Sequence, residues 1–187
     1  MNNVYIVHGY NATPSDHWFP ALKKTIENEN TTVEILEMPD STKPKLESWL
    51  AYLKNNLTDL NENTVIVTHS LGVITALRYL VSISPRVRIK GLVLVSGFLD
   101  NLPNLPLLDE FTNHPLDVEA VKQITDQRFV LVSDNDPIVD PRLTNELAKK
   151  IDAHLTVIKD GGHFLADEGY KEFPQVTDIV KDLLAKG

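Results

Sequence analysis

Short β-branched runs alternate with helix-period patterns along the whole chain, and this alternation leaves few folds open. Val4–His8, Thr32–Met38, Thr64–His69, Ile89–Ser96, Phe129–Ser133 and His154–Ile158 read as strands. Helical patterns lie between and after them: Trp18–Glu29, with Trp18, Leu22 and Ile26 on one face, then Lys45–Leu60, Leu71–Val81, Leu143–Ile151 and Val176–Leu184. A chain of this kind builds βαβ units, which close into a parallel sheet covered by helices on both faces. The run Gly91-Leu92-Val93-Leu94-Val95 is apolar at four consecutive positions, as a strand buried on both sides requires. The predicted fold class is therefore α/β: three layers, about six mostly parallel strands and one domain over 1–187, with the strand order taken as 2-1-3-4-5-6. With 187 residues the chain can bury roughly 70% of its unfolded surface around one core.

One stretch breaks the rhythm. The connection from Phe98 to Gln127 holds Pro103, Pro106 and Pro115, short apolar patches and one helical pattern, Val118–Ile124. It is long for a crossover. It reads equally as a small cap over the strand ends or as an elaborated crossover.

The strand Thr64–His69 runs into Ser70-Leu71-Gly72 and straight on into a helix. Strand, sharp turn, helix, with a serine at the turn, is the geometry that lifts a nucleophilic hydroxyl to the carboxyl edge of a sheet. Gly72 supplies the small neighbour the turn needs, but Thr68 stands where a first glycine is usual. The simpler reading is a serine N-cap on a buried helix.

A serine needs a base, and the base needs an orienting partner. The loop after the fifth strand reads Ser133-Asp134-Asn135-Asp136-Pro137, and the loop after the sixth reads Asp160-Gly161-Gly162-His163-Phe164. Parallel-sheet proteins gather chemistry at such strand ends. Of six histidines, only His163 has both this position and a glycine lead-in that lets the backbone turn inward. His154 opens a strand, His114 lies in the long connection as a surface or lid residue, His17 precedes a helix, and His69 is expected to point away from the turn. Among the acids, Asp136 is favoured because Ile138 and Val139 can anchor its loop, with Asp134 and Asp100 remaining as alternatives. In the order 2-1-3-4-5-6, the loops after strands one and three face each other. The amides of Tyr10 and Leu71 are thus candidates for an oxyanion hole.

Composition narrows the rest. The net charge of −8 and the lack of any basic cluster argue against nucleic acid and anionic membranes. Without cysteine there is no disulfide and no thiolate chemistry. Met1-Asn2-Asn3 runs straight into a strand, unlike a signal peptide, so a cytoplasmic location is expected. No G-x-G-x-x-G follows a strand, which weakens a nucleotide-binding reading. No metal or cofactor is expected.

Taken together, His8-Gly9-Tyr10, His17-Trp18-Phe19-Pro20, Thr68-His69-Ser70-Leu71-Gly72, Val95-Ser96-Gly97-Phe98 and Gly161-Gly162-His163-Phe164 resemble the YdeN / retinoblastoma-binding protein 9 family of small serine hydrolases. The resemblance extends over nearly the whole chain. It implies a minimal α/β-hydrolase without the first antiparallel hairpin and a triad on Ser70, Asp136 and His163. Around these, Asn11, His17, Trp18, Phe98 and Phe164 are candidates to line a substrate pocket, although Trp18 suits helix packing better. The retinoblastoma-binding motif Leu-x-Cys-x-Glu cannot exist without cysteine, so that partner does not carry over. The expected activity is hydrolysis of a small acyl ester or amide. The competing expectation is a catalytically weak scaffold that binds or regulates, motivated by Thr68.

Overall fold

A computed structural model of the protein describes residues 1–186. Its six strands are β1 (Asn2–Val7), β2 (Thr31–Leu36), β3 (Thr64–His69), β4 (Gly91–Val95), β5 (Arg128–Ser133) and β6 (His154–Ile158). They form one sheet in the order β2-β1-β3-β4-β5-β6, and every neighbouring pair is parallel. The reversal point falls between β1 and β3, where Val7 pairs with Thr68. All six residues of β3 are buried.

The helices cover both faces. On one side, α1 (Phe19–Ile26) and α6 (Pro174–Ala185) pack Phe19, Leu22, Val176 and Val180 against Val4, Ile6, Val65 and Val93. On the other, α2 (Leu46–Asn56), α3 (Leu71–Ile83), α4 (Val118–Ile124) and α5 (Pro141–Lys150) cover Tyr5, Val7, Ile66, Leu92 and Leu94. Trp49 is fully buried there, and its indole N–H donates to the Pro39 carbonyl at 2.7 Å. A core aromatic of this size contributes several kcal/mol through burial, and its polar edge is paired.

Two helices are shorter than their periodicity predicts. The α1 backbone turns extended at Glu27, and Asn28 and Thr31 then bond to each other's backbone across a tight turn into β2. The α2 helix ends at Asn56, because Leu57 leaves helical geometry to enter the core. β6 is an edge strand, with Leu155 and Val157 exposed.

The 98–127 connection contains a 3-10 turn, Pro106–Phe111, followed by α4. Leu102, Leu108 and Phe111 sink into the core on the α3 side. Arg78 of α3 ties the segment down by donating to the carbonyls of Phe111 and His114. Asn104 reaches across to the Ile138 carbonyl at 3.0 Å. No helix among the described residues is long and apolar enough to cross a membrane.

Candidate active site

The elbow is a strained turn. Ser70 sits at φ 55°, ψ −121°, backbone angles an L side chain rarely adopts. Its amide is held by the Val95 carbonyl at 2.9 Å and its carbonyl by the Val73 amide at 3.0 Å, so the turn is fixed at both ends. Close packing makes Gly72 obligatory and leaves little room at Gly9. A Cβ on Gly72 would lie 2.5 Å from the Val7 carbonyl oxygen, and one on Gly9 would lie 3.0 Å from the Ser70 Cβ and 3.4 Å from the Leu71 nitrogen. The loop after β1 is therefore pressed onto the elbow. Thr68, where a glycine is usual, meets no such obstacle. It is buried within β3, with its hydroxyl 3.4 Å from the Val93 carbonyl.

Among the described residues, neither the Tyr10 nor the Leu71 amide finds an acceptor. Both belong to the two facing loops, and Leu71 opens α3, whose N-terminal dipole favours negative charge nearby. His8 braces this corner. Its Nε2 accepts from the Met38 amide at 3.0 Å, and its Nδ1–H is 2.9 Å from the Gly9 carbonyl. Burial lowers its pKa below the ordinary imidazole value, which keeps the ring neutral and in this tautomer.

Across the cleft, His163 Nδ1 lies 2.8 Å from Asp136 Oδ2, with both side chains almost wholly excluded from water. The other carboxylate oxygen accepts from the Ile138 and Val139 amides at 2.9 and 3.0 Å. Of the three acids open to choice, Asp136 is the one joined to His163. Asp100 is exposed, and Asp134 links the two loops by accepting from the Asp160 amide at 2.8 Å. The turn before His163 needs Gly162, whose φ is +59°. Asn135 Oδ1 accepts from the Gly162 amide at 2.8 Å, and Glu168 Oε2 accepts from the amides of His163 and Leu165.

Ser70, His163, Gly9, Tyr10, Asn11 and His17 line one cleft of about 330 Å³. A second set of walls comes from the 98–127 segment and the Asp136 loop: Asn104, Leu105, Leu108 and Ile138. Three expected pocket residues do not line the cleft. Trp18, Phe98 and Phe164 are fully buried in the two cores, where such large apolar rings gain most from burial. His154 stacks on Phe129 at the start of β6, the opposite end of that strand from the loop that carries His163.

Four contributors escape the sequence reading: His8, Asn135, Glu168 and, above all, His69. The His69 ring does not simply turn away. It is buried against Trp18, Phe19 and His163, lines the cleft, and its Nε2–H donates to the His163 carbonyl at 2.8 Å. Burial holds its pKa well below the ordinary value, and a second imidazole packed against it adds to the cost of protonation. Among the described residues, no group of three or more His, Asp or Glu side chains is arranged to hold a metal.

The model of the serine hydrolase family matches residues 4–182. The chain is 42% identical to the YdeN protein of Bacillus subtilis (strain 168) over 183 residues, covering 98% of this chain and 96% of that one. It is 28% identical to the serine hydrolase RBBP9 of Rattus norvegicus over 148 residues, 79% of this chain and 75% of that one. The crystal structure of the B. subtilis ydeN gene product superposes with a TM-score of 0.96 at 41% identity, over the full length of both. Est1E from Butyrivibrio proteoclasticus shares the fold at a TM-score of 0.73 and 15% identity, over 98% of this chain and 88% of that one.

Proposed function

Because this chain belongs to the serine hydrolase family, we propose that it cleaves a small carboxylic ester through an acyl-enzyme on Ser70. Ser70 Oγ attacks the carbonyl carbon while His163 Nε2 takes its proton. Nδ1 of the same ring donates to Asp136, so the Nε2 lone pair is the one left for the base. The oxyanion accepts from the amides of Tyr10 and Leu71, each worth about 3 kcal/mol to the barrier. His163 returns the proton to the departing alcohol oxygen. Water, deprotonated by the same nitrogen, then releases the acid and restores Ser70.

The observation that carries this reading is the 2.8 Å bond between two side chains shut away from water, beside a serine held at φ 55°. An imidazole bound to a dry carboxylate is oriented and ready to become imidazolium. Leu105, Leu108 and Ile138 form an apolar wall suited to a short aliphatic acyl group. A binding-only scaffold draws no support from Thr68, since the close approaches fall at Gly9 and Gly72.

The test is labelling with a fluorophosphonate, read by intact mass and peptide mapping. One adduct on Ser70 is expected, together with turnover of p-nitrophenyl acetate that disappears in Ser70→Ala. An unlabelled Ser70, or turnover that survives in Ser70→Ala, sinks the reading.

A further inference from the structure

His17 has a fixed tautomer that faces the cleft. Its Nδ1 accepts a hydrogen bond from the Ala166 amide at 3.0 Å. An amide donor requires a lone pair on that nitrogen, so in the neutral ring the proton sits on Nε2. Burial lowers the pKa of this imidazole and is only partly offset by Asp16, so the neutral ring is favoured. The ring is half-buried and turns into the cleft from a backbone at φ 52°, which holds the loop after β1 against the loop that carries His163. Nδ1 is the ring nitrogen committed to the protein, and Nε2–H remains as a donor at the cleft wall.

Chemistry assigns the two walls. His163 must hand its proton to the leaving oxygen, so the alcohol half of an ester lies on the side of the His163 loop. His17 is bonded to Ala166, three residues past His163, and Asp167 of the same loop also lines the cleft. Asn11, from the same loop as His17, and Leu165, from the His163 loop, also line the cleft. One neutral donor, one carboxylate acceptor and one amide that can do both face this half. The opposite wall is mostly apolar, with Leu105, Leu108 and Ile138, and its one amide, Asn104, has its Nδ2 committed to the Ile138 carbonyl.

We propose that His17 recognises the alcohol half of the ester through Nε2–H, and that this alcohol is polyhydroxylic, pairing hydroxyl oxygens with His17 and hydroxyl protons with Asp167. Its acyl partner is short and aliphatic. This assignment rests on the ester reading above and narrows it to a substrate class.

The experiment compares glycerol monobutyrate with n-butyl butyrate, which share an acyl group and differ in the alcohol. Values of kcat/KM are measured for the wild type, His17→Asn and His17→Gln. An Asn carbonyl can stand in for Nδ1 and keep the Ala166 bond, but its NH2 stops short of the Nε2 position, whereas a Gln amide reaches towards that position. The wild type is expected to prefer the glycerol ester about tenfold, as one well-placed hydrogen bond allows. His17→Asn should lose that preference and His17→Gln should keep most of it. A purely structural role for His17 would lower both esters in proportion and leave the ratio unchanged, and that result overturns the proposal. A wild type that labels at Ser70 but cleaves both esters equally overturns this inference alone. A wild type that neither labels nor cleaves removes the ester reading with it.

Discussion

At Ser70 the backbone is bent for reasons that stability alone would not choose. Glycine tolerates φ 55° and ψ −121° far better than any residue with a Cβ. Ser70→Gly is therefore expected to melt later than the wild type, by about 1–2 kcal/mol, while ester turnover vanishes. Calorimetry and a p-nitrophenyl acetate assay on the same preparation check both halves. Asp136→Asn keeps the shape but presents a donor to His163 Nδ1, which flips the ring to the wrong tautomer. A fall in kcat of about 10³–10⁴-fold with little change in KM is expected, measured under saturating substrate. His69 sets an acid limit on stability. Its folded pKa is depressed, so above the ordinary value of 6.5 both folded and unfolded chains hold the ring neutral. As the pH falls through that value, the unfolded chain takes a proton the folded chain refuses, and stability declines until the folded ring itself protonates. His69→Gln keeps an N–H donor and cannot titrate. Its melting temperature should fall less steeply than that of the wild type between about pH 7 and pH 5. Ser70 and His163 were legible in the sequence because a strand end, a glycine and a nucleophile fall in adjacent positions. His69 was not, because its partner is a backbone carbonyl 94 positions away and no spacing encodes that.

The elements themselves were largely legible, because apolar periodicity is a local property. β3, β6 and α4 lie where their patterns end. The failures came where tertiary demand overrode propensity, as when Leu57 left α2 for the core. The 98–127 segment was the least readable. Its 3-10 turn depends on Arg78 of α3 and on burial of Leu108 and Phe111, contacts with no signature in the segment's own residues. On the proposed ester reading, Leu108 connects this segment to the acyl side, since it is buried and also lines the cleft. Leu108→Ala is expected to cost about 2–4 kcal/mol and to deepen the acyl wall. A p-nitrophenyl ester series should then show an optimum shifted to longer chains, alongside a lower urea midpoint. The loop carrying His163 is held from outside by Glu168, so Glu168→Ala should loosen it. A loss of about 1–2 kcal/mol and a fall in kcat larger than any rise in KM are expected, read by denaturation and steady-state kinetics.

Across the whole molecule, the order β2-β1-β3-β4-β5-β6 converts four separated loops into one rim. Alternation and crossover handedness prune the possible strand orders without fixing one, and once the order 2-1-3-4-5-6 is taken, the meeting of the β1, β3, β5 and β6 loops follows. What could not be read was the depth of the cleft, or which of its walls is polar. Those depend on side-chain directions set by the Ala166–His17 and Asn104–Ile138 bridges between loops.

The contributing loops also arrive in a fixed sequence during synthesis. Residue 70 and the strands that bend it emerge early, while residue 163 hangs from the sheet's final strand and α6 must still close over β3 and β4. On the proposed mechanism, a nascent chain holds the Ser70 hydroxyl before it holds the base that would deprotonate it. Reactivity then waits until β6 and the loop after it have been made, which makes β6, in effect, the safety catch of the site.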